Sequence, residues 1–310
     1  MKRKKIGLVL RSSFVAENGF TSVELLTVLA IIAFLVGMLI PALTVVRNTA
    51  KEAKQKAQFT AIEFALVAFK NDYGDYPPSD SLNDIDYSGS QMLCEALLGW
   101  DLLGFHPKSF WRADGCDGGP PPPGNRVYLS NDDTNLKQRK GPYLELANIN
   151  AFRLGEPEGL FANPSPLNPN TFVICDVFGR KSVAIGGKLV KAGTPVLYYR
   201  ANTVSKTIIP PAIVDQRIYN VEDNYYLIAL GRPTDIVLKQ HPLNGPPDPR
   251  PSPWDREPLY ENFYRYIRDT KFLAPPAMKQ WPYRPESYIL ISAGVDGFYG
   301  TPDDIRNFGN

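Results

Sequence analysis

A segment near the C-terminus, residues 292–305, combines acidic side chains with recurring glycines. Asp296, Asp303 and Asp304 can each offer a carboxylate, a hard oxygen ligand of the kind that calcium collects in a shell of roughly six to eight oxygens. The glycines allow tight backbone turns that aim carbonyl oxygens inward. The acids do not alternate from the first loop position, as they do in an EF-hand. The segment therefore predicts a calcium loop of another kind or, alternatively, an Asp-Gly turn followed by a solvated aspartate pair.

A second group of residues with chemical meaning lies near the N-terminus. A basic leader ends at Gly19, and Phe20 and Glu24 follow it directly before an apolar run at 25–46. This run has no charged residue and exceeds the roughly 20 residues that a helix needs to cross a bilayer. A carboxylate at the edge of such a span is unfavourable without a partner, and Pro41 inside the run removes a helix hydrogen bond. A plain single-span anchor requires neither feature.

The sequence at 19–26 reads Gly-Phe-Thr-Ser-Val-Glu-Leu-Leu, which resembles the processing site of type IV prepilins and type II secretion pseudopilins. The resemblance implies that a membrane-bound prepilin peptidase cuts after Gly19. It also implies methylation of the new N-terminal amine on Phe20. Glu24 matches the family's assembly residue, and Pro41 matches a position that is commonly proline. Residues 1–19 are thus expected to be a leader that is removed.

The role expected of Glu24 is in assembly. Once the leader is removed, Phe20 carries a cationic amine in the apolar zone, and a carboxylate of a neighbouring subunit can neutralise it. Paired charges are better placed in a filament core than alone in lipid, although burial makes such a pair a registration device more than a source of stability. The resemblance implies contacts with copies of this chain, with other pseudopilins, with membrane lipid and with the inner-membrane assembly platform of a secretion system.

Three further segments resemble the major-type (G) pseudopilin of type II secretion. They are Tyr73-Gly74-Asp75-Tyr76-Pro77, Gly141-Pro142-Tyr143-Leu144 and Asp176-Val177-Phe178-Gly179. This chain departs from that family by its longer C-terminal region, with insertions around residues 100–140 and 200–285. The departure leaves open whether the chain is the main building block of a filament or a specialised subunit.

The segment 292–305 resembles the calcium loop of major-type pseudopilins. The resemblance implies that Asp296 and Asp303 bind Ca²⁺. Further candidate ligands are Asp304 and the carbonyl groups of Ala293 and Phe298.

The elements that position these residues follow from the hydrophobic pattern. Beyond residue 46, alanine and phenylalanine recur at helical steps with lysine between them, which predicts one helix over 20–73. Its first part, 20–46, suits a membrane or a filament core, and its second part suits packing on a globular head. Gly74 and the following Pro77-Pro78 pair are typical of a helix end.

The remaining chain, residues 74–310, predicts an α+β head. Its turn formers and short strand-like runs favour an antiparallel sheet laid on the C-terminal half of the long helix, which is the pilin-like architecture that the resemblance implies. A helix is predicted at 90–98. Strands are predicted at 172–177, 183–185, 196–200, 225–230 and 288–292.

Composition narrows the classes of function. A hydrophobic content of 44% is that of a folded globular chain. Without its basic leader the chain is nearly balanced in charge, so we expect no nucleic-acid partner. Cys94, Cys116 and Cys175 have no metal-ligand spacing. We expect three buried thiols, with a disulfide in an oxidising compartment as the alternative and Cys94 with Cys116 as the nearest couple.

The sequence contains no Gly-x-Ser-x-Gly motif, no P-loop and no dinucleotide fingerprint, so we expect no enzyme. The expected function is that of a structural subunit of a type II secretion pseudopilus. One alternative is a type IV pilin-like subunit of a surface fibre for adhesion or DNA uptake. Another is a membrane-tethered enzyme or ligand-binding domain that reuses the leader. The expected location is the inner membrane, crossed once, with the leader cytoplasmic before cleavage and the head in the periplasm or outside.

Overall fold

The computed structural model of the chain describes residues 21–80, 86–118, 124–146, 149–206, 217–230, 259–273 and 280–309. The chain divides into two units, Met1–Asn48 and Thr49–Asn310. One long helix, α1 (Ser22–Tyr73), contributes residues to both units. It confirms the long N-terminal helix that the apolar and amphipathic patterns predict.

The described part of the first unit is helical from Ser22 onward, and nearly all of its side chains are exposed. Pro41 lies inside the helix and does not end it. Proline has no N–H to donate, so the helix loses one backbone hydrogen bond there. Next to it, the Thr44 hydroxyl donates to the carbonyl of Ile40 at 3.2 Å. The apolar run therefore forms a helix despite its proline.

The described residues of the second unit form four more helices and eight short strands. The helices are α2 (Gly89–Leu98), α3 (Asp133–Gln138), α4 (Tyr225–Ala229) and α5 (Leu259–Tyr266), with short 3-10 helices at Val221–Asn224 and Thr270–Leu273. The strands are β1 (Ala151–Gly155), β2 (Gly159–Phe161), β3 (Phe172–Ile174), β4 (Lys181–Ile185), β5 (Lys188–Ala192), β6 (Leu197–Arg200), β7 (Tyr288–Ser292) and β8 (Ile305–Arg306).

The strands form three small sheets. The first has the order β2-β1-β3, with β1 parallel to β2 and antiparallel to β3. The second is the antiparallel hairpin β4-β5. The third has the order β6-β7-β8 and is antiparallel, with Ile291 of β7 opposite both Leu197 and Arg306. The α+β class with antiparallel sheets is confirmed, although the strands are divided among three sheets and one pair is parallel.

The C-terminal half of α1 packs into the second unit. Phe59, Ile62 and Leu66 belong to a buried cluster that also contains Leu97 of α2 and Tyr198 of β6. A second buried cluster joins β1, β2 and β3 to β6, β7 and α5. Both clusters lie entirely within Thr49–Asn310. We therefore expect a fragment of residues 49–310 to fold by itself.

Two buried glutamines fix the position of α1 against the segment at 175–178. The Gln58 side chain donates to the carbonyl of Cys175 at 3.0 Å. The Gln55 side chain accepts from the backbone N–H of Val177 at 2.9 Å. Buried backbone groups need such partners, so these bonds specify which face of the helix meets the head.

Asp176, within that segment, has a buried carboxylate with three donors. One oxygen accepts from the N–H groups of Phe178 and Thr194 at 3.0 and 3.1 Å, and the other accepts from the Ser292 hydroxyl at 3.2 Å. A Cβ at Gly193 would lie 2.1 Å from the carboxylate, so only glycine fits there. Burial raises the pKa of Asp176 to about 7 despite these donors.

The predicted strand at 225–230 is wrong, because these residues begin with α4 (Tyr225–Ala229). The helix follows directly on the 3-10 helix Val221–Asn224. The side-chain oxygen of Asn220 caps the first turn of that 3-10 helix by accepting from the N–H of Glu222. A short apolar run is compatible with either a buried strand or a buried helical turn. The local cap decides in favour of the helix.

The raised pKa of Asp176 predicts that the fragment 49–310 is more stable at pH 5 than at pH 8. Above its ordinary value of 3.8 the unfolded carboxyl ionises, whereas the folded one keeps its proton until about pH 7. Stability from this group is thus present at low pH and is lost as pH rises toward 7, by up to about 1.4 kcal/mol per pH unit. Urea unfolding at several pH values measures it.

Asp176→Asn is the matched variant, because it keeps an acceptor and cannot ionise. It should stay close to the original fragment near pH 5, reduce the decline between pH 5 and pH 7, and compare more favourably with the original at pH 8, because it carries no buried charge there. The same slope in the variant and the original fragment would contradict the assignment of this titration to Asp176.

Candidate functional site

The N-terminal junction is described from Thr21 onward, so Gly19 and Phe20 lie outside the described residues. Thr21 and Glu24 form a reciprocal cap at the start of α1. The Glu24 carboxylate accepts from the Thr21 N–H at 2.9 Å and from its hydroxyl at 2.7 Å. The Thr21 hydroxyl accepts from the Glu24 N–H at 3.2 Å. This is a capping box, which satisfies donors that a helix start leaves unpaired.

The helix behind this cap presents apolar side chains to its surroundings on every side. Its apolar stretch has a mean hydropathy of 2.7, and none of it is buried. Leu26, Phe34 and Val45 are each about two-thirds exposed, at 66%, 64% and 66%. The helix is long and apolar enough to cross a membrane. Signal sequences and core helices of soluble proteins reach similar length and composition.

The turns of the C-terminal loop between β7 and β8 are formed at its glycines. Gly294, Gly297 and Gly300 have φ angles of 61°, 76° and 86°, a region that side chains with a Cβ rarely adopt. The N–H of Gly297 donates to the carbonyl of Ala293 at 3.0 Å, which closes the first turn. The carbonyl of Phe298 accepts from the Thr301 hydroxyl at 3.2 Å. The predicted carbonyl candidates are thus both hydrogen-bonded within the loop.

Two of the three predicted carboxylates lie close together in this loop. Asp303 accepts from the N–H of Asp296 at 2.8 Å and from the Thr301 hydroxyl at 2.6 Å. Asp296 accepts from the N–H of Phe298 at 2.8 Å. Burial, and then the neighbouring charge of Asp303, raises the pKa of Asp296. A bound cation would relieve both effects.

The third carboxylate, Asp304, has its own partners. It accepts from the N–H of Gly300 at 2.7 Å and from the hydroxyl of Tyr266, the last residue of α5. Burial raises the pKa of Asp304 to about 7, although both hydrogen bonds favour its ionised form. Asp304 therefore ties the loop to α5.

A positively charged side chain of the protein, that of Arg180, contacts the loop. The Arg180 guanidinium donates to the carbonyl of Gly294 at 3.1 Å and to that of Val295. A Cβ at Gly297 would lie 2.2 Å from Arg180 Nε, so glycine is required for the guanidinium to approach. No signal in the sequence connects Arg180 with the loop, because it lies more than a hundred residues before it.

These residues provide part of the oxygen shell that a calcium ion needs. Asp296 and Asp303 provide neighbouring hard oxygen ligands, whereas Arg180 occupies two backbone carbonyls and Asp304 binds Tyr266. Across the described ranges, no group of three or more His, Cys, Asp or Glu side chains is arranged to hold a metal ion. Calcium at this loop therefore stays a prediction.

Outside the C-terminal loop, Glu95 is a further buried carboxylate with several structural partners. Glu95 of α2 accepts from the hydroxyl of Tyr87, just before that helix, and from the hydroxyls of Ser109 and Tyr128, which tie the region after α2 back to it. Burial raises the pKa of Glu95. The three cysteines are free and buried, and burial raises the pKa of each thiol. His106 is also buried, and His241 lies outside the described residues.

No protein-family model, no curated protein and no solved structure matches this chain.

We expect calcium to raise the melting temperature of the fragment 49–310 relative to chelator. A ligand that binds only the folded state stabilises it, by about 2.7 kcal/mol at 100 times its dissociation constant. Asp303→Asn should remove most of this gain, because it removes a ligand charge while keeping an acceptor for the Asp296 N–H. Differential scanning calorimetry measures the effect.

Two further variants sharpen the calcium test. Arg180→Gln should enlarge the calcium response, since it removes the cation that competes for the loop carbonyls. Asp133→Asn, at an exposed position in α3, is the control and should respond as the unchanged fragment does. Equal melting with calcium and with chelator, in both the unchanged fragment and Arg180→Gln, would leave the Asp-Gly turn as the explanation of the loop.

Proposed function

We propose that this chain is a prepilin-like structural subunit of a type II secretion pseudopilus. The proposal rests on the contrast between the exposed first part and the buried last part of helix α1. Its first part exposes an uninterrupted apolar surface directly behind Glu24, while its last part is buried in the core of a folded unit. Exposed apolar surface of this extent requires lipid or neighbouring protein around it. A subunit that moves from a membrane into a filament uses both.

The proposed cycle begins in the inner membrane, which the chain crosses once. The leader is cytoplasmic, and the head is in the periplasm or outside. A prepilin peptidase cuts between Gly19 and Phe20 and methylates the new amine. The inner-membrane assembly platform then transfers the subunit from lipid into a filament with other pseudopilins. No nucleic acid and no catalytic step are part of this role.

Glu24 has two uses in this cycle. In the single chain its carboxylate caps its own helix through Thr21. In the filament we propose that it pairs with the Phe20 amine of a neighbouring subunit. A charged pair taken out of water needs good geometry to be favourable, which makes it selective for the correct register.

A second candidate function is a type IV pilin-like subunit of a surface fibre. The observation that favours it is the enlarged head, in which the region after α2 forms its own polar centre around Glu95. Neighbouring genes discriminate between the two. A secretion ATPase and an outer-membrane secretin beside further pseudopilins would favour secretion.

Processing is tested by expressing the chain together with a prepilin peptidase. Mass spectrometry should find a chain that begins at N-methylated Phe20. Gly19→Val should block cleavage, because a branched side chain replaces the residue directly before the cut. Gly7→Val, elsewhere in the leader, is the control and should be processed. A cut at another position, or no cut, would refute the leader assignment.

Glu24→Gln and Glu24→Ala separate capping from charge pairing. Glutamine serves in a capping box but carries no charge, whereas alanine does neither. Both variants should insert in the membrane and be processed, since loss of a charge eases insertion. If the charge pair is required, both should enter filaments at least about tenfold less than the original chain. Normal assembly of Glu24→Gln alone would reduce the role of Glu24 to capping.

A further inference from the structure

The hairpin β4-β5 exposes an apolar tip. At the tip, residues 184–190, Ile185 is 43%, Leu189 77% and Val190 40% exposed. Gly186 and Gly187, with φ angles of 55° and 79°, form the tight turn that joins the strands. Exposed aliphatic side chains grouped on a narrow hairpin are typical of a contact surface and not of isolated surface residues.

The hairpin is also basic. Residues 180–192 include four arginine or lysine side chains and no acidic residue. Arg180 is bound to the C-terminal loop, and Lys181 forms an ion pair with Glu156 at 2.7 Å. Lys188 and Lys191 are exposed. The tip therefore presents positive charge together with apolar surface.

A complementary surface lies on the outer side of α1. There a groove of about 410 Å³ runs between the helix and residues 143–145 and 149. Ala61, Ala65 and Ala68 form its floor, and the short side chains leave room between the helix and the segment. Phe64, 73% exposed, borders the groove. We name this surface the α1 groove.

The rim of the α1 groove carries the opposite charge to the hairpin tip. Glu145 lines it and is exposed. Neighbouring Leu146 is 45% exposed, and Val67 on the helix is 47% exposed. An anionic lipid surface would match the lysines of the tip but leaves the groove unexplained. A second copy of the chain explains both surfaces at once.

We propose that the hairpin tip of one copy inserts into the α1 groove of a second copy. Leu189 and Ile185 fill the alanine-lined groove, and Lys188 faces Glu145. Two different surfaces meet, so the contact is heterologous and repeats from copy to copy, as an open filament requires. This inference rests on the proposed filament function and adds to it the contact between heads.

The size of the contact sets its strength. A hairpin tip buries far less than the roughly 1,200–2,000 Å² of a stable protein interface. Free heads should therefore associate only weakly. Copies already held together by their N-terminal helices face each other at high effective concentration, and the same contact then becomes occupied.

Cysteine cross-linking in the full chain tests the contact. Leu189→Cys and Ala61→Cys are combined in one chain, and filaments are oxidised and separated on a non-reducing gel. Linkage from tip to groove should produce a ladder of multimers, since each copy offers both positions. Either single variant should give no ladder. The native cysteines are buried and do not compete.

A charge exchange tests the polar part of the contact in the same cysteine pair. Lys188→Glu and Glu145→Lys should each lower the cross-linking yield roughly two- to fivefold, the range of an exposed ion pair. The two substitutions together should restore it. Lys137→Glu, at an exposed position in α3, is the control and should have no effect.

The outcomes separate this inference from the filament proposal. Filaments visible by electron microscopy without a ladder would overturn the contact and leave the filament function standing. If no filament forms, the fragment 49–310 is followed by NMR at rising concentration. Shifts confined to the hairpin tip and the α1 groove support the contact, and unchanged spectra overturn it. Shifts of the tip that appear only with vesicles of phosphatidylcholine and phosphatidylglycerol would assign it to lipid instead.

Discussion

The buried carboxylate of Asp176 is the interaction on which the arrangement of the head depends. It receives donors from the residues that lead into β6 and from the end of β7, while its neighbours in the chain receive the two glutamines of α1. A shift of α1 by one residue would bring Lys54 or Lys56 to the place of Gln55 and would bury a charge without a partner. The carboxylate and the glutamines therefore fix the register of the helix on the head, and through it the side of α1 that stays uncovered.

The parts of the fold that the sequence predicts are those with a long or strongly apolar pattern. The helix α1, the helix α2 and the strand β7 all follow from such patterns. Strands β1, β2 and β5 are short, and β5 has lysines among exposed aliphatic residues, so no alternation of buried and exposed residues marks β5. The parallel pairing of β1 with β2 joins residues only six apart, such as Arg153 and Gly159, across a connection much shorter than parallel strands usually have. The division into three sheets depends on contacts between distant residues. Local preference does not encode them.

The candidate site likewise has residues that the sequence reveals and residues that only the fold reveals. The aspartates and glycines of the C-terminal loop are visible in the sequence because they are neighbours. Arg180 and Tyr266, which bind that loop, come from other elements and are visible only in the fold. Thr21 and Glu24 show a third situation. Their spacing fits both a helix cap and an assembly motif. The structure contains the cap, and the assembly role is the one that we propose for the filament.

The three buried thiols bear on where the head can fold. Thiol–disulfide exchange proceeds through the thiolate, and burial that raises the pKa of Cys94, Cys116 and Cys175 suppresses that form and blocks access to it. The head thus needs neither an oxidant nor a disulfide isomerase to reach its structure. It should keep the same covalent state in a reducing and in an oxidising compartment.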